Sequence, residues 1–148
     1  MRLVTTAAIS GVVTRRIHFN TCGGNPVGCA QGKAVLEVIE RENLQANCLK
    51  IGACIVAGLE RLKAKHNIIG DVRGKGLMLG IELVKDRTTK EPAKAECAHV
   101  LETCKELGLL LGKGGLQGHT IRFAPPMIIN QADADFILEC LDVALSAL

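Results

Sequence analysis

From Leu44 to Lys65 apolar residues recur at Leu44, Cys48, Ile51, Ile55, Leu59 and Leu62, a helical period kept from end to end with no proline to interrupt it. A helix with one apolar stripe must cover that stripe with a second layer. The residues that follow suit such a layer. Two short apolar runs, residues 68–72 and 77–84, flank Arg73-Gly74-Lys75-Gly76 and read as two strands joined by a glycine-punctuated turn or bulge.

Upstream, Asn25-Pro26 predicts a helix start, with asparagine able to cap and proline pre-set for the first helical position. Val27, Ala30, Ala34, Val35, Val38 and Ile39 then fall on one face, up to about Glu42. Downstream, residues 86–94 are polar and contain Pro92, which predicts a surface loop. A further helix to about Leu107 is expected to turn Ala98 and Leu101 inward and to stop at Gly108. Residues 109–111 read as a short strand, the glycine-rich stretch 112–118 as a flexible connector, and 121–124 as a strand ended by Pro125-Pro126. Asn130 and Asp133 predict the start of a last helix that buries Ile137, Leu141, Ala144 and Leu148. Helices thus alternate with a small sheet of three or four strands. The expected class is α/β, in its α+β two-layer form.

Composition excludes several functions. Only 2% of the 148 residues are aromatic, with no Tyr or Trp, so there is almost nothing on which bases could stack. Eighteen basic against 15 acidic residues, a net charge of +3, give no one-sided field for a phosphate backbone. No apolar run approaches the roughly 20 residues that span a bilayer. Neither nucleic acid nor membrane is expected as a partner. Seven cysteines without a CxxC pair and four scattered histidines suggest neither a disulfide framework nor a metal site, and most cysteines are expected to be reduced core residues. Residues 1–31 contain Arg2, Arg15 and Arg16 and no acidic residue, which mimics a mitochondrial presequence. The stretch runs directly into a glycine turn and a helix, however, with its apolar residues clustered at Val12 and Val13, which argues against that reading.

Two glycine clusters, at 74–76 and 112–115, look like pieces of phosphate loops. Neither has GxxxxGK[ST] or GxGxxG spacing, so both read as tight turns. The segment 18–30, H-F-N-T-C-G-G-N-P-V-G-C-A, places Thr21 and two glycines before a helix whose free N–H groups could favour an anion. Arg122, in T-I-R-F-A-P-P, could have its guanidinium fixed at a sheet edge, the natural bidentate partner of a carboxylate. Arg73 is the rival candidate, but beside Asp71 and Gly74 it reads as turn structure.

The run F-N-T-C-G-G-N-P-V-G-C-A resembles the T-[FY]-G-G-N-P signature of class III, fold-type I, pyridoxal-phosphate-dependent aminotransferases. The resemblance continues through I-I-G-D-V-R-G-K-G-L-M-L-G-I-E-L, K-E-L-G-L-L-L-G-K-G-G and I-R-F-A-P-P-M. Within the class it is most similar to the mitochondrial alanine–glyoxylate aminotransferase 2 group, its plant-type members in particular. Even residues 4–16 are similar to interior sequence of that family, which further disfavours a presequence.

The resemblance implies transfer of an amino group from L-alanine to glyoxylate, giving pyruvate and glycine, with pyridoxal 5'-phosphate as cofactor. It implies a mitochondrial location and a homodimer with shared sites acting on small amino and keto acids. Thr21 matches the family threonine that reaches the cofactor phosphate of the neighbouring subunit, and Arg122 the arginine that pairs with the substrate carboxylate. Cys22 stands where the family usually has Phe or Tyr, which is expected to alter packing there. By the same resemblance residues 1–43 are the end of the large cofactor-binding domain with an interdomain helix, and 44–148 the small C-terminal domain.

None of the chain's ten lysines lies in the context of the family's Schiff-base lysine. Without one, a carbonyl cofactor has no covalent anchor or proton-transfer base. The expectation is therefore a C-terminal portion of an aminotransferase, inactive alone, with no catalytic residue of its own. The alternative is a non-catalytic truncated paralogue acting as a dimerisation or regulatory module, or a small anion-binding module using the turn from Thr21 to Pro26.

Overall fold

A computed structural model describes residues 5–15, 21 and 23–148. Cys22, and residues 18–20 of the glycine-turn segment, lie outside the described residues. The chain divides into two compact units, Met1–Glu42 and Asn43–Leu148.

The first unit holds helices α1 (Ala7–Val13) and α2 (Pro26–Arg41). As the sequence predicts, Asn25 caps α2: its Oδ1 accepts from the N–H of Val27 and of Gly28, at 2.9 and 3.2 Å. The apolar face predicted for this helix is not covered within its unit. No residue of α2 is buried, and Val27 and Val35 are exposed. Periodicity identifies a face fit for burial, not what covers it.

The second unit builds a core from helix α3 (Leu44–Lys65), strands β1 (Ile69–Lys75) and β2 (Met78–Leu83), helix α4 (Lys94–Glu106), strands β3 (Gly112–Gly114) and β4 (Thr120–Phe123), and helix α5 (Gln131–Ser146). The strands form one antiparallel sheet in the order β1-β2-β4-β3. Helices α3 and α4 pack on the sheet and α5 packs on both. Alternation sends Leu79, Ile81, Leu83, Ile121 and Phe123 toward the helices, where they meet Ile51, Ile55 and Leu59 of α3. The opposite face carries Asp71, Arg73, Glu82 and Arg122. This is the expected two-layer class.

Several local expectations change. Strand β1 runs through Lys75, which pairs with Met78, so Arg73 is a strand residue and the turn is only Gly76-Leu77. The bulge lies earlier, between Ile69 and Asp71. Residues 109–111 are not a strand. Instead Gly112–Gly114, expected as connector, pairs with Arg122, Ile121 and Thr120. Ladder partners decide a strand as much as side chains do, and residues 112–114 are the ones in register with β4.

In α4 the inward residues are Cys97, Val100 and Cys104, while Ala98 is exposed and Leu101 only partly buried. The helix does stop at Gly108, where φ is +89°, and Leu109 N–H bonds the Cys104 carbonyl at 2.8 Å. A reciprocal Asn130–Asp133 capping box starts α5. Its core residues include Ile137, Leu141, Ala144 and Leu145, and Leu148 is exposed because the helix has ended before it. Of the six described cysteines, Cys97, Cys104 and Cys140 are buried, Cys48 and Cys54 half-buried and Cys29 exposed. No helix is long and apolar enough to cross a membrane among the described residues.

Candidate functional site

Arg122 stands on β4, which lies between β2 and β3, so its guanidinium is not at the sheet edge expected for it. Its register partners are both glycines, Gly80 on β2 and Gly112 on β3. With no side chain on either flank, the arginine stays solvent-exposed in the middle of the sheet. It lines a groove of about 460 Å³ with Leu109, Leu111, Phe123, Pro125 and Ile137. An exposed guanidinium beside an apolar groove can take a small molecule with one carboxylate and a short apolar body.

The charges around it leave it free. Among the described residues no carboxylate pairs with Arg122, whereas Arg73, on the same face, bonds Asp71 at 2.6 Å and Glu82 at 2.8 Å. The bonds to Asp71 and Glu82 raise the Arg73 pKa further above its ordinary value. Desolvation pushes Glu82 up, but hydrogen bonds from His119 and Arg73 outweigh it, and its pKa ends below the usual carboxylate value. His119 Nε2 stands 3.2 Å from Glu82 Oε1. Both carboxylates of this face are thus engaged, which removes Arg73 as the rival anion receptor and leaves Arg122 with no carboxylate partner among the described residues.

A clamp that the sequence reading missed shapes the groove's wall. Asn47 of α3 donates through Nδ2 to the Met127 carbonyl at 2.8 Å and to the Ile129 carbonyl at 2.9 Å, fixing the loop that follows Pro125-Pro126. One signal was present: Asn47 is three residues after Leu44, a polar residue at the edge of the apolar stripe.

The glycine cluster at 74–76 is structural, as expected. Gly74 and Gly76 have φ of +138° and +57°. A β-carbon on Gly52 of α3 would overlap the carbonyl of Gly76 and lie 2.9 Å from its Cα, so helix and hairpin touch backbone to backbone. The second cluster forms β3 and the turn after it.

Thr21 lies in the first unit, exposed, ahead of α2. The helix-entry expectation needs correcting. Asn25 already takes the N–H groups of Val27 and Gly28, Pro26 has none, and the Cys29 N–H bonds the Asn25 carbonyl. The first turn of α2 therefore offers an anion no free amide, and a phosphate there would depend on the Thr21 hydroxyl and the turn before the helix. None of the ten lysines is buried, and Lys33, Lys65, Lys85 and Lys105 are ion-paired. A lysine that reacts with a carbonyl is commonly seated in a desolvated apolar pocket, and none of these ten is.

Residues 2–145 match the family model of class III aminotransferases, and the chain belongs to that family. It is 53% identical over 97% of its length to the mitochondrial alanine–glyoxylate aminotransferase 2 homolog 2 of Arabidopsis thaliana, and 44% identical over 97% to the mitochondrial alanine–glyoxylate aminotransferase 2 of Pongo abelii. It spans only 30% and 28% of those two proteins. Its fold is similar to an amine transaminase from an uncultivated Pseudomonas species in PLP-bound form, with a TM-score of 0.81 and 30% identity over 88% of this chain and 30% of that one.

Proposed function

We propose that this chain is the C-terminal portion of a mitochondrial, pyridoxal-phosphate-dependent aminotransferase that moves the amino group of L-alanine to glyoxylate, yielding pyruvate and glycine. Residues 1–43 would be the end of the large cofactor-binding domain and the interdomain helix, and 44–148 the small domain. The observation that carries the reading is Arg122: an unpaired guanidinium beside an apolar groove suits alanine, pyruvate, glyoxylate and glycine, which share one carboxylate and differ only in an amino or carbonyl group and in the presence of one methyl group. Arg122 holds the carboxylate by a bidentate pair and so fixes which end of the substrate faces the reacting centre. Leu109, Leu111 and Pro125 offer the short apolar body of the substrate a hydrocarbon wall beside that pair.

The residues present fit the cofactor only at its margin. Thr21 is the single side chain assigned to it, through its hydroxyl on the phosphate, and Asn25 keeps the helix amides out of that contact. Pyridoxal phosphate, when bound, supplies the carbonyl that exchanges nitrogen and the ring that draws electrons from the bond being broken. The lysine and the ring partners belong to the part of the relatives that this chain does not span. The assignment of Thr21 to a neighbouring subunit implies a homodimer with shared sites, and the uncovered apolar residues of α1 and α2, Ile9, Val12, Val27, Val35 and Leu36, support burial against further protein surface.

Substituting Arg122→Lys in the complete polypeptide tests the reading. Loss of the planar fork should raise KM for both alanine and glyoxylate by about tenfold or more. Unchanged Michaelis constants for both would remove Arg122 from the site.

A further inference from the structure

We infer that Gly112 is a positioning residue for Arg122: its missing side chain is the seat across which the guanidinium lies. The inference rests on the assignment of Arg122 to the substrate carboxylate. A β-carbon at position 112 would meet Arg122 Nε at 3.3 Å, the Arg122 carbonyl oxygen at 3.4 Å and Nη2 at 3.6 Å, all within one residue. The guanidinium thus runs over β3, away from the Asp71–Arg73–Glu82 cluster on the far side of Gly80. Gly112 is not in the left-handed region, so its backbone does not demand glycine. No other residue occupies the three nearest positions around that β-carbon. What glycine provides here is room for one side chain.

The other register partner behaves differently. A β-carbon on Gly80 would come no closer than 3.6 Å to anything, and its neighbours are the Ile121 carbonyl oxygen and Thr120 Cγ2, with no guanidinium atom among them. The two glycines that flank Arg122 are therefore unequal. Gly112 sets the direction of the fork, and Gly80 does not.

The tests use the complete, cofactor-loaded polypeptide. Gly112→Ala requires the guanidinium to give by a few tenths of an ångström, and Gly112→Val displaces it further. KM for both alanine and glyoxylate should rise about threefold in Gly112→Ala and about tenfold in Gly112→Val, the larger change matching one charge-assisted hydrogen bond of the pair, with kcat within about twofold. The dissociation constant of propionate, a carboxylate with neither amino nor keto group, should rise in parallel by calorimetry, a readout independent of turnover. Gly80→Ala should leave all three constants unchanged. In an Arg122→Lys background Gly112→Val should add nothing, because the fork it displaces is gone.

The outcomes separate the two layers of the argument. If Arg122→Lys leaves KM and propionate binding untouched, the assignment of Arg122 itself fails. If Arg122→Lys weakens both while Gly112→Ala and Gly112→Val do not, or if Gly112→Val acts equally in the lysine background, the role of Gly112 is overturned. Should Gly112→Val fail to fold, Gly112→Ala decides alone, since the three atoms nearest its single carbon all belong to Arg122.

Discussion

Replacing Gly52 by alanine isolates the contact that docks the long helix on the β1–β2 hairpin. In an open helix interior the same change is favourable by about 1 kcal/mol, because alanine loses less chain entropy. Here the added carbon would overlap the Gly76 carbonyl and lie 2.9 Å from the Gly76 Cα. Both partners are backbone, so no side chain can swing aside. The hairpin tip must retreat, drawing Leu77, only 7% exposed, out of its place against the core. Overpacking of this kind costs about 3 kcal/mol at the upper end of its usual range, which leaves about 2 kcal/mol of net destabilisation. For a unit of this size that lowers the melting temperature by roughly 10 °C. The chain has no Trp or Tyr, so unfolding is followed by far-ultraviolet circular dichroism. Gly32→Ala in α2, where a β-carbon meets nothing within 4 Å, is the control and should be neutral or stabilising. A Gly52→Ala chain that melts at or above the parent would refute the backbone-contact argument.

Other perturbations probe separate parts of the second unit. Asn47→Ala leaves the Met127 and Ile129 carbonyls without their donor and should cost about 1–3 kcal/mol in urea unfolding, with faster hydrogen exchange at the Ile129 amide, which otherwise bonds the Pro126 carbonyl. Asp142 accepts from Lys65 and bonds His66, both at 2.7 Å, and the Lys65 bond foremost, then His66, holds its carboxyl below the usual range. A depressed carboxylate pKa gives stability that is fully present above the unfolded value, about 3.9, and lost as pH falls through the folded value. Asp142→Asn should therefore be less stable than the parent near neutrality, with the two urea midpoints converging in acid. A constant offset across the acid limb would exclude that linkage.

The sequence was most informative where structure is local. Helix α3 has the bounds its periodicity predicts, and the ends of α2, α4 and α5 follow from Asn25, Gly108 and the Asn130–Asp133 box, each settled within one or two turns of chain. It failed where partners are distant. Residues 109–111 are the more apolar strand candidate, yet Gly112–Gly114 takes the place because it meets β4 in register. Arg73 reads as a turn residue until Glu82 arrives from the neighbouring strand. Arg87, in a polar loop, donates to the carbonyls of Lys63, His66 and Ile69, closing the end of α3 and the start of β1 from about twenty residues away. The type of the candidate site was legible in Arg122, but its freedom was not. That depends on Gly112 and the two engaged carboxylates, which only the sheet brings alongside.

The central claim is that these residues bind the substrate within an aminotransferase but do not carry its catalytic apparatus. It is tested most directly by comparing the 148-residue chain with the complete polypeptide containing it, each supplied with pyridoxal phosphate, L-alanine and glyoxylate. The account predicts pyruvate and glycine in equal amounts from the complete polypeptide and none from the chain alone. Turnover by the isolated chain, or none by a complete, cofactor-loaded polypeptide, would contradict it.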